Sequence, residues 1–167
     1  SGRGITRNAG SNIPWEVMTD IYQYTLDRDS TTRWNAADCD FKPAMTVIYL
    51  GANDFSSSMA PSYDKFYKDY VRLMGYVKAN YGEDHPILCV STKAHDYLFT
   101  YVKQVAKTCG LKNVEYLGYF SAQHHNTDED LGAGWHPNYK GQQKLAFSII
   151  PYIATITGWG LQDVPVK

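Results

Sequence analysis

The chain of 167 residues carries a formal net charge of −1, with 44% hydrophobic and 20% charged residues, the balance of one globular domain or part of one. That composition offers no electrostatic footprint for nucleic acid or an anionic membrane surface. The longest apolar run, 146–156, is broken by Pro151 and polar residues, well short of the ~20 residues that span a bilayer.

Three cysteines, Cys39, Cys89 and Cys109, are too few and too scattered for a metal knuckle or a disulfide framework, although Cys39 and Cys109 could pair. Cys89 sits in the apolar run "ILCV" and reads as a small core residue. The 14 Tyr and 4 Trp exceed what turns and caps need, so some rings pack in the core and others can face sugar rings.

The chain opens on "SGRGITRNAG", whose glycines at 2, 4 and 10 suit a turn leaving the C-terminal edge of a strand, where open α/β sheets place ligands. No strand precedes it, so the expectation is a chain that begins partway through a domain. "SNIPWEVMTDIYQYTL" (11–26) reads as a helix with Pro14 in its first turn. Residues 27–43 are loop-like.

"TVIYLG" (46–51) is a short, nearly continuous apolar run, the pattern of a strand covered on both faces. Residues 62–82 place Phe66, Tyr70, Leu73, Met74 and Val77 at helical spacing and stop at Gly82. "PILCVST" (86–92) is a second buried strand, 94–110 a helix ending at Gly110, and "NVEYLGY" (113–119) a third strand. After a loop, a closing helix covers about 138–156. Strands alternating with helices imply parallel strands joined by right-handed crossovers, hence a three-layer α/β/α sandwich of the flavodoxin-like kind. An apolar "TVIYLG" at a sheet edge would be unguarded, so a further parallel strand from a missing or separate segment is expected beside it.

Three loops can carry chemistry. In "GAND" (51–54) Asn and Asp suit a plain turn, yet the Asn53 amide can also donate into a cleft at the strand end. In "GWHPN" Pro137 restricts the backbone and starts the helix, so His136 is held at a defined place, and imidazole is the commonest general base. In "SGRG" the Gly2 amide can approach a cavity unobstructed by a side chain. His124–His125 beside Asp128 make a poor chelate, because adjacent ligands on a loop cannot converge. His85 and His95 flank a strand as surface or capping residues, and the tyrosines of "YDKFYKDY" form a packed face.

Taken together, "SGRGITRN", "IYLGANDFS" and "GWHPNYKGQQKLA" resemble, in order and rough spacing, the conserved blocks of the SGNH hydrolases. Within that superfamily they are most similar to the second carbohydrate-esterase family, whose catalytic domains deacetylate plant polysaccharides. The resemblance covers essentially the whole chain, read as residues 1–167 of the C-terminal portion of one esterase domain.

The resemblance implies a secreted acetyl esterase that works by a serine/histidine acyl-enzyme mechanism, with no metal and no cofactor. By the same likeness Gly2 supplies one oxyanion N–H, Asn53 the side-chain donor, His136 the base, and Trp135 a ring against the sugar. An acetylated polysaccharide or oligosaccharide would be the partner, with neither nucleic acid nor membrane.

The chain departs from the pattern twice. It contains no "GDS", the block that holds the family nucleophile; Ser1 matches the second block, so the serine is expected on a companion segment. The residue three before His136 is Ala133 rather than an acid. That leaves Asp128, Glu129, Asp130 or a backbone carbonyl to orient the imidazole, and the resemblance also admits a Ser–His dyad. A catalytically silent glycan-binding domain and an SGNH esterase for other acyl esters are the alternative readings.

Overall fold

The structure is a computed structural model and describes residues 2–9, 16–26, 29–56, 60–92, 96–119 and 128–160. His95, His124 and His125 lie outside the described residues. The chain divides into two compact units, Ser1–Gly118 and Tyr119–Lys167.

The first unit holds the sheet, in the order β1 (Thr46–Ile48), β2 (Ile87–Thr92), β3 (Val114–Tyr119). β1 and β2 run parallel, with Val47 opposite Leu88 and Ile48 opposite Cys89. This is the parallel α/β fold that the alternating pattern predicts. β2 is the central strand and is buried from Ile87 to Ser91: Ile87 and Cys89 enter the main core, and Leu88 and Val90 are equally hidden.

Helix α2 (Tyr63–Tyr81) starts where Ser62 accepts the Lys65 N–H and ends at Gly82. Its predicted apolar stripe, Phe66, Tyr70, Leu73, Met74 and Val77, is wholly buried. Together with Leu98, Val102 and Val105 of α3 (Asp96–Thr108) it forms the core against β1 and β2. Gly110 follows α3 with φ +72°, the left-handed conformation that stops a helix. Side-chain volume here is rigidly specified, since removing a buried Phe costs about 3–5 kcal/mol.

Four expectations need correction. The helix predicted over 11–26 is, among the described residues, the single turn α1 (Met18–Ile21). Tertiary bonds override the helical pattern: the Met18 N–H donates to Gly4 O, the Thr19 hydroxyl donates to Ile5 O, and Tyr24 pairs antiparallel with Arg33. β1 is not covered on both faces, because Val47 and Tyr49 are 40% and 43% exposed. They line a groove of about 330 Å3 with Met18, Tyr22 and Leu73. His85 is not a surface residue: it is buried, its Nε2 is 2.9 Å from the Thr46 hydroxyl and its ring packs on Tyr81. Burial, and then the Lys78 charge, holds its pKa below the usual histidine value. Cys39, Cys89 and Cys109 are all free thiols, so Cys39 and Cys109 do not pair; burial pushes the Cys89 thiol up to about 12.

The second unit is dominated by helix α4 (Tyr139–Thr157). Asn138, not Pro137, is its N-cap, accepting the Gly141 N–H at 3.1 Å. Pro151 lies inside this helix, within the predicted span 138–156.

Candidate active site

Two of the sequence-predicted residues, Gly2 and Asn53, belong to the first unit. β1 gives way to Gly51 with φ +115°, and a 3-10 turn, Ala52–Phe55, follows. Phe55 fastens that turn to the core, its ring 5.7 Å from Phe66 and 5.6 Å from Tyr101. Asn53 is therefore displayed at the C-terminal end of β1 on a backbone that is anchored on its apolar side.

The loop at residues 2–9 is tied to this turn by hydrogen bonds. Asn53 Nδ2 donates to Arg3 O at 2.8 Å. This occupies one of its two amide hydrogens, fixes the plane of the group and leaves the second hydrogen to serve another acceptor. The Ala9 N–H donates to Gly2 O at 2.8 Å, which closes the loop, and Gly2 holds φ +81°. Gly2 and Asn53 are thus brought to one loop–turn assembly, joined through Arg3.

The residue that sequence reasoning passed over is Asp54. It is fully buried, and its carboxylate accepts N–H bonds from Ile5 at 2.8 Å, Thr6 at 2.7 Å and Arg7 at 3.0 Å. Burial raises its pKa above the usual aspartate value, against the lowering effect of those three bonds. The available signal was the pairing of an acid in "GAND" with a glycine-rich loop 48 residues away; neither periodicity nor propensity reports such a tie.

His136 belongs to the second unit and sits in a closed turn. Leu131 and Pro137 form an antiparallel bridge; the Gly132 N–H donates to His136 O at 2.7 Å, and the His136 N–H to Ala133 O at 3.3 Å. Gly134 supplies φ +61° inside the intervening 3-10 turn, Ala133–Trp135, a conformation that costs a residue with a side chain about 1–2 kcal/mol. Asn138 locks the base of the turn: its N–H donates to Asp130 O at 2.8 Å and its Nδ2 to Glu129 O at 2.7 Å. The imidazole is thereby carried on a rigid, exposed corner directly before α4. Trp135 precedes it on this corner, and its side chain lies outside the described residues.

Of the three acids considered as partners for His136, Asp128 is exposed. Glu129 pairs with Lys140 at 2.8 Å, which holds its carboxyl below the usual glutamate value. Asp130 is buried and pairs with Lys144 at 2.5 Å. Glu129 and Asp130 therefore serve to brace the turn against α4. Among the described residues no three His, Cys, Asp or Glu side chains gather as metal ligands.

The first unit thus carries a glycine loop and an asparagine at the C-terminal end of a parallel strand, the edge where open α/β sheets place ligands, and the second carries a braced histidine directly before its helix. The chain belongs to the GDSL-like Lipase/Acylhydrolase family, whose match runs from residue 16 to residue 149.

Two curated relatives are similar to it. The cellulase/esterase CelE of Acetivibrio thermocellus is 31% identical over 163 residues, which is 95% of this chain and 19% of that protein. The acetylxylan esterase / glucomannan deacetylase of Cellvibrio japonicus is 26% identical over 165 residues, 92% of this chain and 43% of that protein. The chain thus spans less than half the length of either. No solved structure matches it significantly.

Proposed function

We propose that this chain is part of a secreted carbohydrate esterase that removes acetyl groups from a plant polysaccharide, xylan or a related glycan. A serine delivered by a companion segment outside this chain attacks the acetyl carbonyl, and His136 accepts its proton. As the tetrahedral intermediate collapses, the same imidazole protonates the departing sugar hydroxyl. Water, deprotonated by His136, then attacks the acyl-enzyme, and acetate leaves as the serine recovers its proton.

The Gly2 N–H and the free Asn53 amide hydrogen stabilise the oxyanion in both steps, and Trp135 lies against the sugar ring. With Glu129 and Asp130 ion-paired to lysines of α4, a Ser–His dyad oriented by a backbone carbonyl is the arrangement we favour.

One observation carries the reading: the Asn53 Nδ2–Arg3 O hydrogen bond joins the "GAND" turn to the glycine loop one residue after Gly2, which supports the two as donors to a shared acyl oxygen. The names of the two relatives support the acyl class and the glycan substrate. The place of β1 at the end of the strand order, its outer edge paired with no strand among the described residues, supports a parallel strand pairing with β1 and delivering the serine.

The test is acetate release from acetylated xylan by the full-length protein and its Asn53→Ala variant. Losing one oxyanion donor costs about 10²–10³ in kcat, so near-normal turnover in the variant eliminates the assignment. Glycan binding without any acetate release would point instead to a catalytically silent sugar-binding domain.

A further inference from the structure

We propose that Asp54 is a positioning residue for ester hydrolysis, its carboxylate acting as the internal template that holds the glycine loop with the Gly2 N–H facing the oxyanion. This rests on the reading of Gly2 and Asn53 as the oxyanion donors. Three successive amides, those of Ile5, Thr6 and Arg7, converge on one carboxylate, one of them on Oδ2 and two on Oδ1. Backbone N–H groups gathered in this way form a nest for an anion, and here the anion is the chain's own side chain.

The loop is closed tightly around it. A Cβ on Gly4 would overlap both Arg7 O and Asp54 Oδ2, so the position accepts only glycine. The Gly4 N–H is held in turn by Asn8 Oδ1 at 3.2 Å. The neighbours in "GAND" divide the work: Asn53 fixes the Arg3 carbonyl, and Asp54 fixes the three residues after Gly4. Gly2 is therefore held at two successive carbonyls, its own, bonded by Ala9, and that of Arg3, bonded by Asn53.

An oxyanion donor works only if it is aimed where charge develops, and a misplacement of about 1 Å can cost about 10²-fold in rate. Asp54→Asn keeps the volume but turns an NH2 group toward backbone N–H donors at one of the two oxygen positions. At least one of the three bonds is lost and the loop is released.

The experiment measures kcat and KM on an acetyl ester in the full-length protein, with active sites titrated by a phosphonate, and the Ki of an alkylboronic acid. Boronates add to the nucleophilic serine as tetrahedral adducts and so report the oxyanion donors directly. Asp54→Asn is expected to lower kcat per titrated site about 10–100-fold, to leave KM within about threefold, and to raise the boronate Ki in parallel with the loss in kcat/KM.

A residue that merely supports the fold would reduce the number of titrated sites and leave Ki unchanged; that result overturns the proposal, as does a kcat within about threefold of the parent. If Asp54→Asn does not fold, Asn8→Ala decides the matter: a smaller rise in Ki upholds the template, and an unchanged Ki refutes it. Asn53→Ala is the control. Should it lose activity while Asp54→Asn does not, only the positioning role falls; should it retain activity, or the parent hydrolyse no ester, the oxyanion reading falls and takes this role with it.

Discussion

Gly51→Ala tests how firmly the fold fixes the corner between β1 and the Asn53 turn. Gly51 holds φ +115° and ψ −21°, a conformation that costs a residue with a Cβ about 1–2 kcal/mol. The new methyl would also stand 2.5 Å from Leu98 Cδ1 and 3.5 Å from Phe66 Cζ. Both neighbours are core residues that cannot swing into solvent, so the overpacking adds about 1–3 kcal/mol.

Together the two effects destabilise by about 2–5 kcal/mol, a large part of a domain's total stability of about 5–15 kcal/mol. Gly75→Ala is the matched comparison: it lies inside α2, a Cβ there meets nothing within 4 Å, and the same chemical change should stabilise by about 0.5–1 kcal/mol. Urea denaturation of the full-length protein, followed by circular dichroism, reads both. Equal effects at the two positions, or a Gly51→Ala loss below about 0.5 kcal/mol, would refute the claim that this corner must be glycine.

Lys78 donates from Nζ to the carbonyls of Glu83, His85 and Lys112, joining the end of α2 to the loops before β2 and β3. Lys78→Met orphans three acceptors and should destabilise by about 2–4 kcal/mol in the same titration; a neutral result would show that water replaces the ammonium.

Asp54 gives a pH signature. Its folded pKa is raised above 3.8, so the folded chain binds the proton more tightly, and its contribution is full below 3.8 and lost as pH rises through the raised value. The stability of the parent relative to Asp54→Asn should therefore shrink as pH rises from 3.8 through the raised value, and a difference that grows in that direction contradicts the burial argument. His136→Ala, on an exposed corner, should leave the thermal midpoint within about 2 °C while abolishing ester turnover by a factor of about 10⁴ or more; stopped turnover with a collapsed midpoint would make the residue structural.

Much of the fold was legible in the sequence because its signals are local. The 3.6-residue spacing from Phe66 to Val77, the serine before it and the glycine after it give α2 within a residue at each end. The short runs "PILCVST" and "NVEYLGY", bounded by loops, give β2 and β3 within a residue for the same reason. The failures are tertiary. The pattern over 11–26 is helical in hydropathy, but the Met18 N–H and the Thr19 hydroxyl are claimed by Gly4 and Ile5 from the opening loop.

Val47 and Tyr49 show the limit of apolarity as a guide to covering, since an apolar run records what a strand suits and not what lies on it. Asn53 and His136 stood out because their loops are bounded by glycine and proline. Asp54 did not, because a buried carboxylate that bonds to amides 47 to 49 residues back reads in sequence as one more turn-forming acid.

The central claim, that Gly2, Asn53 and His136 serve one ester-hydrolysing centre, is tested most directly by a crystal structure of the full-length protein carrying a phosphonate on its nucleophilic serine. The phosphonyl oxygen should accept hydrogen bonds from the Gly2 N–H and Asn53 Nδ2 at about 2.7–3.1 Å, with the His136 imidazole within hydrogen-bonding reach of the serine oxygen and the serine on a strand paired with β1. A phosphonyl oxygen facing solvent, or a His136 ring more than about 12 Å from Asn53, would contradict it.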